Sequence, residues 1–183
     1  MSLNKYFQKI YKKQNLSLSE ARNAFDIIMS GKASNIEIAA FLVSLSHKGV
    51  SRDELLSAVK VLRSKSLKIN IKGNIIDTCG TGGDKKNTLN ISTATAILSS
   101  ACGLKIAKHG NKSVSSKSGS SEVLEKLGVN INTPVKNSEK LLKNINLCFL
   151  MAPMYHNAMK NVAEVRKTYL SYFMFYLKTP LKS

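Results

Sequence analysis

Two polar stretches hold most of the residues in this chain that could meet a charged small molecule. The first contains Gly80, Gly82, Gly83 and Asp84, followed by Asn87, Thr88, Asn90, Ile91, Ser92 and Thr93. The second runs through Lys108, His109, Gly110, Asn111, Lys112, Ser113, Val114, Ser115 and Ser116 to Ser120 and Ser121. Glycines let backbone N–H groups approach a ligand that a Cβ would hold off. Hydroxyls and amides at a helix start add donors where the macrodipole already favours negative charge. Ala94 to Ala101, small and apolar, reads as a packed helix between the two stretches. Two such loops flanking one helix suit a ligand with phosphates at both ends. The glycines are not a dinucleotide fingerprint, because Lys85 stands where the last glycine is needed, and no Gly-Lys-Ser/Thr follows as a P-loop would require. Taken alone, GTGGD is equally compatible with a tight turn. The second loop tips the reading, since a turn needs no Lys108, His109, Asn111 and serine run.

The elements that must position these loops follow from the rest of the chain. It has 183 residues, 43% of them hydrophobic, which is enough for a core and excludes a disordered chain. A net charge of +17 points either to an anionic partner or to a lysine-rich surface. The lysines are dispersed, without a long basic run or interleaved aromatics, so a nucleic-acid stacking platform is not indicated. Cys79, Cys102 and Cys148 form no CxxC pair and read as reduced thiols of a cytoplasmic protein. No apolar run is long enough to span a bilayer, and the N-terminus lacks a signal-peptide core. His47, His109 and His156 are too scattered for a histidine-built metal site.

Ser17-x-x-Glu20, Ser34-x-x-Glu37 and Ser51-x-x-Glu54 are three capping boxes spaced seventeen residues apart. Apolar residues at helical spacing follow each one, and Gly31 and Gly49 fit left-handed positions beyond the first two helices. Residues 1–70 are therefore expected to form a helical domain. His47 reads as a surface or helix-end residue. From Leu67 to Ile71 the period changes to alternation, and Ile75 and Ile76 read as the end of a buried strand. A short helix from Glu122 to Leu127, a brief strand at Val129 and Ile131, a helix from Thr133-Pro134 through Leu142, and a buried strand at Cys148 to Met151 complete an α/β unit with a mostly parallel sheet. Its expected extent is residues 71–167. Ligands of such sheets sit at the carboxyl ends of strands, where both loops fall. Arg166 reads either as a solvated helix residue or as a fork for a carboxylate or phosphate.

In this order, SGKASNIEIAAFLVSL, DTCGTGGD, NTLNISTA, KHGNKSVSSKSGSSEVLEKLG and FLMAPMYHNAMKNVAEVRK resemble the anthranilate phosphoribosyltransferase family of tryptophan biosynthesis, from about Leu16 to Arg166. The resemblance implies a small helical domain followed by the α/β domain of the nucleoside phosphorylase and phosphoribosyltransferase fold. It also implies transfer of phosphoribose from 5-phosphoribosyl 1-pyrophosphate to the anthranilate amine with Mg²⁺, and a homodimer formed through the helical domain. By that likeness Gly80, Gly83 and Asp84 line the pyrophosphate and metal region. Thr88, Asn90, Ile91, Ser92, Thr93 and Lys108 surround the phosphoribosyl group, and His109 to Ser116 with Ser120 close over the donor. Gly80, Asn111 and Arg166 match the anthranilate positions, and Ser92 matches a magnesium ligand. No enzyme nucleophile is implied. A basic nucleic-acid-binding relative and a pyrimidine nucleoside phosphorylase-like enzyme stand as alternatives.

The likeness stops after Arg166-Lys167. The family continues with a glycine-containing stretch and a second half bearing an adjacent Asp-Glu pair for metal. Here residues 168–183 read TYLSYFMFYLKTPLKS, and the one Asp-Glu pair, Asp53-Glu54, opens a helix. The expectation is a C-terminally truncated or frame-shifted form with an atypical tail, whose activity is open.

Overall fold

The computed structural model describes residues 2–78, 90–111 and 119–168. They fall into two compact units. One comprises residues up to Ser66 together with the segment from His156, and the other runs from Leu67 to Tyr155.

The first unit holds α1 (Asn4–Tyr11), α2 (Leu18–Met29), α3 (Asn35–Lys48) and α4 (Arg52–Ser64), joined by a 3-10 turn (Asn157–Val162) and α9 (Ala163–Thr168). All three capping boxes form. Ser17, Ser34 and Ser51 each accept the N3 amide, while Glu20, Glu37 and Glu54 each accept the cap N–H in return. Of α1 to α4, α1 alone begins without such a box. Gly31 takes φ +69 just beyond α2, as a left-handed cap requires. Gly49 departs from that expectation: it has φ 88 with ψ 135, so it turns the chain out of α3 in an extended sense. The apolar faces meet in one cluster that includes Ile10, Phe25, Ile28, Phe41, Leu45, Leu62 and Val165. Phe25 and Phe41 meet edge to face, 5.7 Å between centroids. Each such burial contributes on the order of 1.5–3 kcal/mol. Glu54 does more than cap α4. Its side chain is fully buried and receives the Leu16 amide at 2.9 Å, the Ser51 amide at 2.8 Å and the Lys48 ammonium at 2.9 Å. His47 lies exposed in the last turn of α3.

The second unit is a small α/β layer. Strand β1 (Ile106–Gly110) runs parallel to β2 (Leu147–Met151), in register from Ile106 opposite Leu147 to Gly110 opposite Met151. Ile76 adds a parallel bridge on the other side of β1. In the chain, α5 (Ile91–Ala101) precedes β1, α6 (Ser120–Lys126) and α7 (Val135–Asn144) lie between β1 and β2, and the four-residue α8 (Ala152–Tyr155) follows β2. The helices and β2 fall where the residue pattern placed them, whereas β1 was not expected: Lys108, His109 and Gly110, read as the start of the second loop, belong to a buried strand.

Several finer expectations are corrected. Leu67 to Ile71 forms no strand. Its alternation survives, because Ile69 and Ile71 pack on Ala107, Leu142, Leu150 and Tyr155, but its amides bond to single groups and not to a ladder. Leu67 N–H donates to the Tyr155 carbonyl and Asn70 N–H to Glu139 Oε1. Ile75 and Ile76 are not buried (36% and 42% exposed), because their pairing with β1 is limited to one bridge. Val129 and Ile131 form no strand, although Ile131 is buried with Leu124, Phe149 and Met151. In α5 the buried positions are Thr93, Ala96 and Ser100, whereas Ile97 and Leu98 are exposed. A small apolar composition made that helix look packed all round; only one face of it is.

Candidate functional site

The site is built where β1 ends, where Ile76 leads into Asp77 and Thr78, and where α5 begins. Parallel strands release their carboxyl ends on one side of a sheet, so residues following Ile76 and β1 are brought together there. Lys108 lies within β1 and is almost wholly buried (2% exposed). Its Nζ donates to Ser92 Oγ at 3.2 Å and to the Thr78 carbonyl at 3.4 Å. A buried ammonium needs oxygen partners to offset its lost hydration. Thr78 Oγ1 in turn donates to the Ser92 carbonyl at 2.9 Å. One lysine thus ties three chain segments far apart in sequence.

Asn90 is the N-cap of α5. Its Oδ1 accepts from Thr93 N at 3.3 Å, from Thr93 Oγ1 at 2.8 Å and from Ser92 Oγ at 3.3 Å. The Asn90 and Thr93 oxygens are therefore engaged in shaping the helix start, and Thr93 is buried. Ile91, between them, is exposed. What this helix start offers a ligand is its amides and dipole, with Lys108 supplying full charge beside them.

His109 follows Lys108. Asp77 Oδ1 accepts the His109 amide at 3.1 Å, and Asp77 Oδ2 lies 3.2 Å from His109 Nδ1. Burial works against the Asp77 carboxylate, yet the His109 side chain and amide and the charges of His109 and Lys108 outweigh it and hold its pKa below the usual value. The His109 ring meets Tyr155 edge on at 6.3 Å, and the Tyr155 hydroxyl donates to Ser138 Oγ at 2.9 Å. At Gly110 a Cβ would collide with the Phe149 ring and come within 3.3 Å of the Ser120 Cβ. The glycine is required by this packing, which sets the two ends of the second loop, Gly110 and Ser120, beside each other. Asn111 is exposed at the last described position before that loop.

Gly80, Gly83, Asp84, Thr88, Lys112, Ser113, Val114, Ser115 and Ser116 lie outside the described residues, as do Cys79 and residues 169–183. Arg166 belongs to α9 of the helical unit, half-buried, and burial pushes its pKa below the usual arginine value. Sequence reasoning did not single out Asp77 and Thr78 as site residues. Their signal was present: the first polar residues after two isoleucines, at the carboxyl end of a strand.

No side chain of the described site is poised as a nucleophile. Burial, with the nearby Asp77 charge, pushes the Cys148 thiol up to about 12, and burial raises the Tyr155 phenol. Among the described residues no three His, Cys, Asp or Glu side chains form a metal cluster. No helix of the described residues is long and apolar enough to cross a membrane. Buried Lys108 beside the start of α5 presents positive charge that suits an anion.

Residues 4–66 match the helical bundle domain of the glycosyl transferase family, and residues 72–181 match its a/b domain, so the match runs on past Lys167, where the motifs alone placed its end. Among curated proteins, the anthranilate phosphoribosyltransferase of Pelagibacter ubique is 51% identical over 97% of this chain and 54% of its own length. Among solved structures, the Saccharomyces cerevisiae anthranilate phosphoribosyltransferase in complex with PRPP and Mg aligns with a TM-score of 0.80 at 28% identity, over 97% of this chain and 52% of that one. The same yeast protein in complex with 4-fluoroanthranilate aligns with a TM-score of 0.75 at 26% identity, over 97% and 50%. The chain spans about half the length of the relatives it matches.

Proposed function

Because the chain belongs to the glycosyl transferase family defined by a helical bundle domain and an a/b domain, we propose that it binds 5-phosphoribosyl 1-pyrophosphate and directs phosphoribose transfer to the amine of anthranilate. The observation that carries this reading is the Lys108 clamp, which gathers Thr78, Ser92 and the start of α5 around one buried positive charge. Loss of diphosphate from the donor leaves positive charge on the ribose and negative charge on the departing group. Positioning and charge stabilisation then do the catalytic work, and no covalent enzyme intermediate is called for.

In this reading Lys108 and the amides of Ile91 and Ser92 hold phosphoryl oxygens, and His109, Gly110 and Asn111 lead the second loop, with Lys112 to Ser116 and Ser120, over the donor. The glycine loop through Gly80, Gly83, Asp84 and Thr88 takes the diphosphate. The family pattern gives anthranilate contacts to Gly80 and Asn111, and it also assigns one to Arg166, whose guanidinium suits a carboxylate as a two-pronged fork. Mg²⁺ ordinarily keeps few protein ligands and takes substrate phosphate oxygens for the rest. That fits a site in which Ser92 Oγ is one oxygen and Asp84 a second candidate. The ion would neutralise charge on the departing diphosphate. The family pattern further suggests a homodimer formed through the helical domain, working in the cytoplasm where Cys148 stays reduced.

Titration calorimetry with 5-phosphoribosyl 1-pyrophosphate, with and without Mg²⁺, tests the reading. Heat that depends on Mg²⁺ and changes little with salt is the expected outcome. No heat from a folded protein overturns it, and binding of an oligonucleotide that collapses steeply with salt would favour a nucleic-acid role instead. Fluorescence decay of anthranilate in the presence of both ligands then separates turnover from binding.

A further inference from the structure

We propose that Asp77 is a positioning residue: it fixes both the backbone and the imidazole of His109, and so ties the start of the first loop to the end of β1, where the second loop departs. The carboxylate spans the two, with Oδ1 accepting the His109 amide at 3.1 Å and Oδ2 3.2 Å from Nδ1. The amide contact sets where β1 ends; Oδ2, which accepts no aligned hydrogen bond, holds its charge against the Nδ1 edge of the ring. Beside an ionised carboxylate the imidazole keeps its proton on Nδ1, because only that tautomer places a donor toward the charge. On the far side the ring abuts Tyr155, itself anchored by its hydroxyl to Ser138, which leaves the ring little freedom to turn. The pair is well inside the protein, with side-chain exposures of 16% for Asp77 and 10% for His109, where a charged contact is little screened.

The role in donor binding rests on the function proposed above, whereas the tautomer does not. The test is therefore made at both levels. Protein labelled with 15N-histidine carries three imidazoles, and His109 is assigned by its absence from a His109→Gln sample. With a neutral ring, wild-type His109 is expected to show the proton on Nδ1. Asp77→Asn keeps an acceptor oxygen for the amide but turns an NH2 toward the ring, so the proton is expected to move to Nε2. The same variant is expected to bind 5-phosphoribosyl 1-pyrophosphate about tenfold more weakly through misplacement of the loop. A wild-type proton on Nε2 overturns the proposal, and so does a tautomer unchanged in Asp77→Asn. If Asp77→Asn does not fold, the wild-type tautomer decides alone. A tautomer that moves as expected in a protein giving no heat with the donor keeps the positioning role and removes the proposed substrate.

Discussion

The two units use buried charge for different ends. In the helical unit the buried cation Lys48 faces the buried carboxylate Glu54, which also accepts the Leu16 and Ser51 amides. The carboxylate closes the junction of three segments, and the arrangement concerns stability alone. In the α/β unit the buried cation Lys108 donates to the neutral oxygens of Thr78 and Ser92 beside a helix N-terminus. There the positive charge and the α5 dipole point the same way, which favours an incoming anion, while the lysine also ties its three segments together. The contrast teaches that burial of a lysine does not by itself signal function. What its Nζ meets, and what dipole lies beside it, does.

Glu54→Ala should break the comparison from the stability side. It leaves Lys48 buried without its carboxylate and is expected to cost about 3–5 kcal/mol, read by urea unfolding. Lys108→Met tests the other side: donor affinity should fall on the order of 100-fold, the scale of one or two charge-assisted hydrogen bonds, with a smaller loss of stability than Glu54→Ala. Were Lys108→Met to unfold the protein while Glu54→Ala spared it, the division of roles would be reversed. Gly110→Ala drives a Cβ into the Phe149 ring and should cost about 1–3 kcal/mol while also weakening donor binding, because Gly110 belongs to both the sheet and the loop. Ser34→Ala removes one cap and should cost about 1 kcal/mol with donor affinity unchanged.

Acid sharpens the comparison further. Hydrogen bonding to Lys9 and Ser17 holds Glu20 down to about 2, Ser34 lowers Glu37, and Glu54 is lowered because its hydrogen bonds and Lys48 outweigh burial. Carboxylates with folded values below the unfolded one (near 4.5) contribute stability that is fully present above it and lost as pH falls through the folded value. Three of them stand in the helical unit, whereas Asp77 serves the α/β unit. Far-UV circular dichroism through acid titration should therefore show helix signal lost between about pH 4.5 and 2. Since α2 to α4 hold nearly half of the described helical residues, a flat profile over this range would contradict the assignment.

The residue order alone determined the starts of α2, α3 and α4, because a capping box is a contact between positions three apart and needs no tertiary partner. It also marked the buried strand at Cys148 to Met151 and the family, whose motifs are contiguous strings. Tertiary structure decided the rest. LKINI has the alternation of a strand but not the neighbouring strand that a ladder requires, and alternation cannot report a neighbour. The pairing of Asp77 with His109 spans 32 positions, and that of Thr78 with Lys108 spans 30. Such contacts exist only once Ile76 and β1 lie side by side. Local capping is written in spacing along the chain, whereas a cation's partners and a histidine's orientation depend on which strand ends the fold sets next to each other.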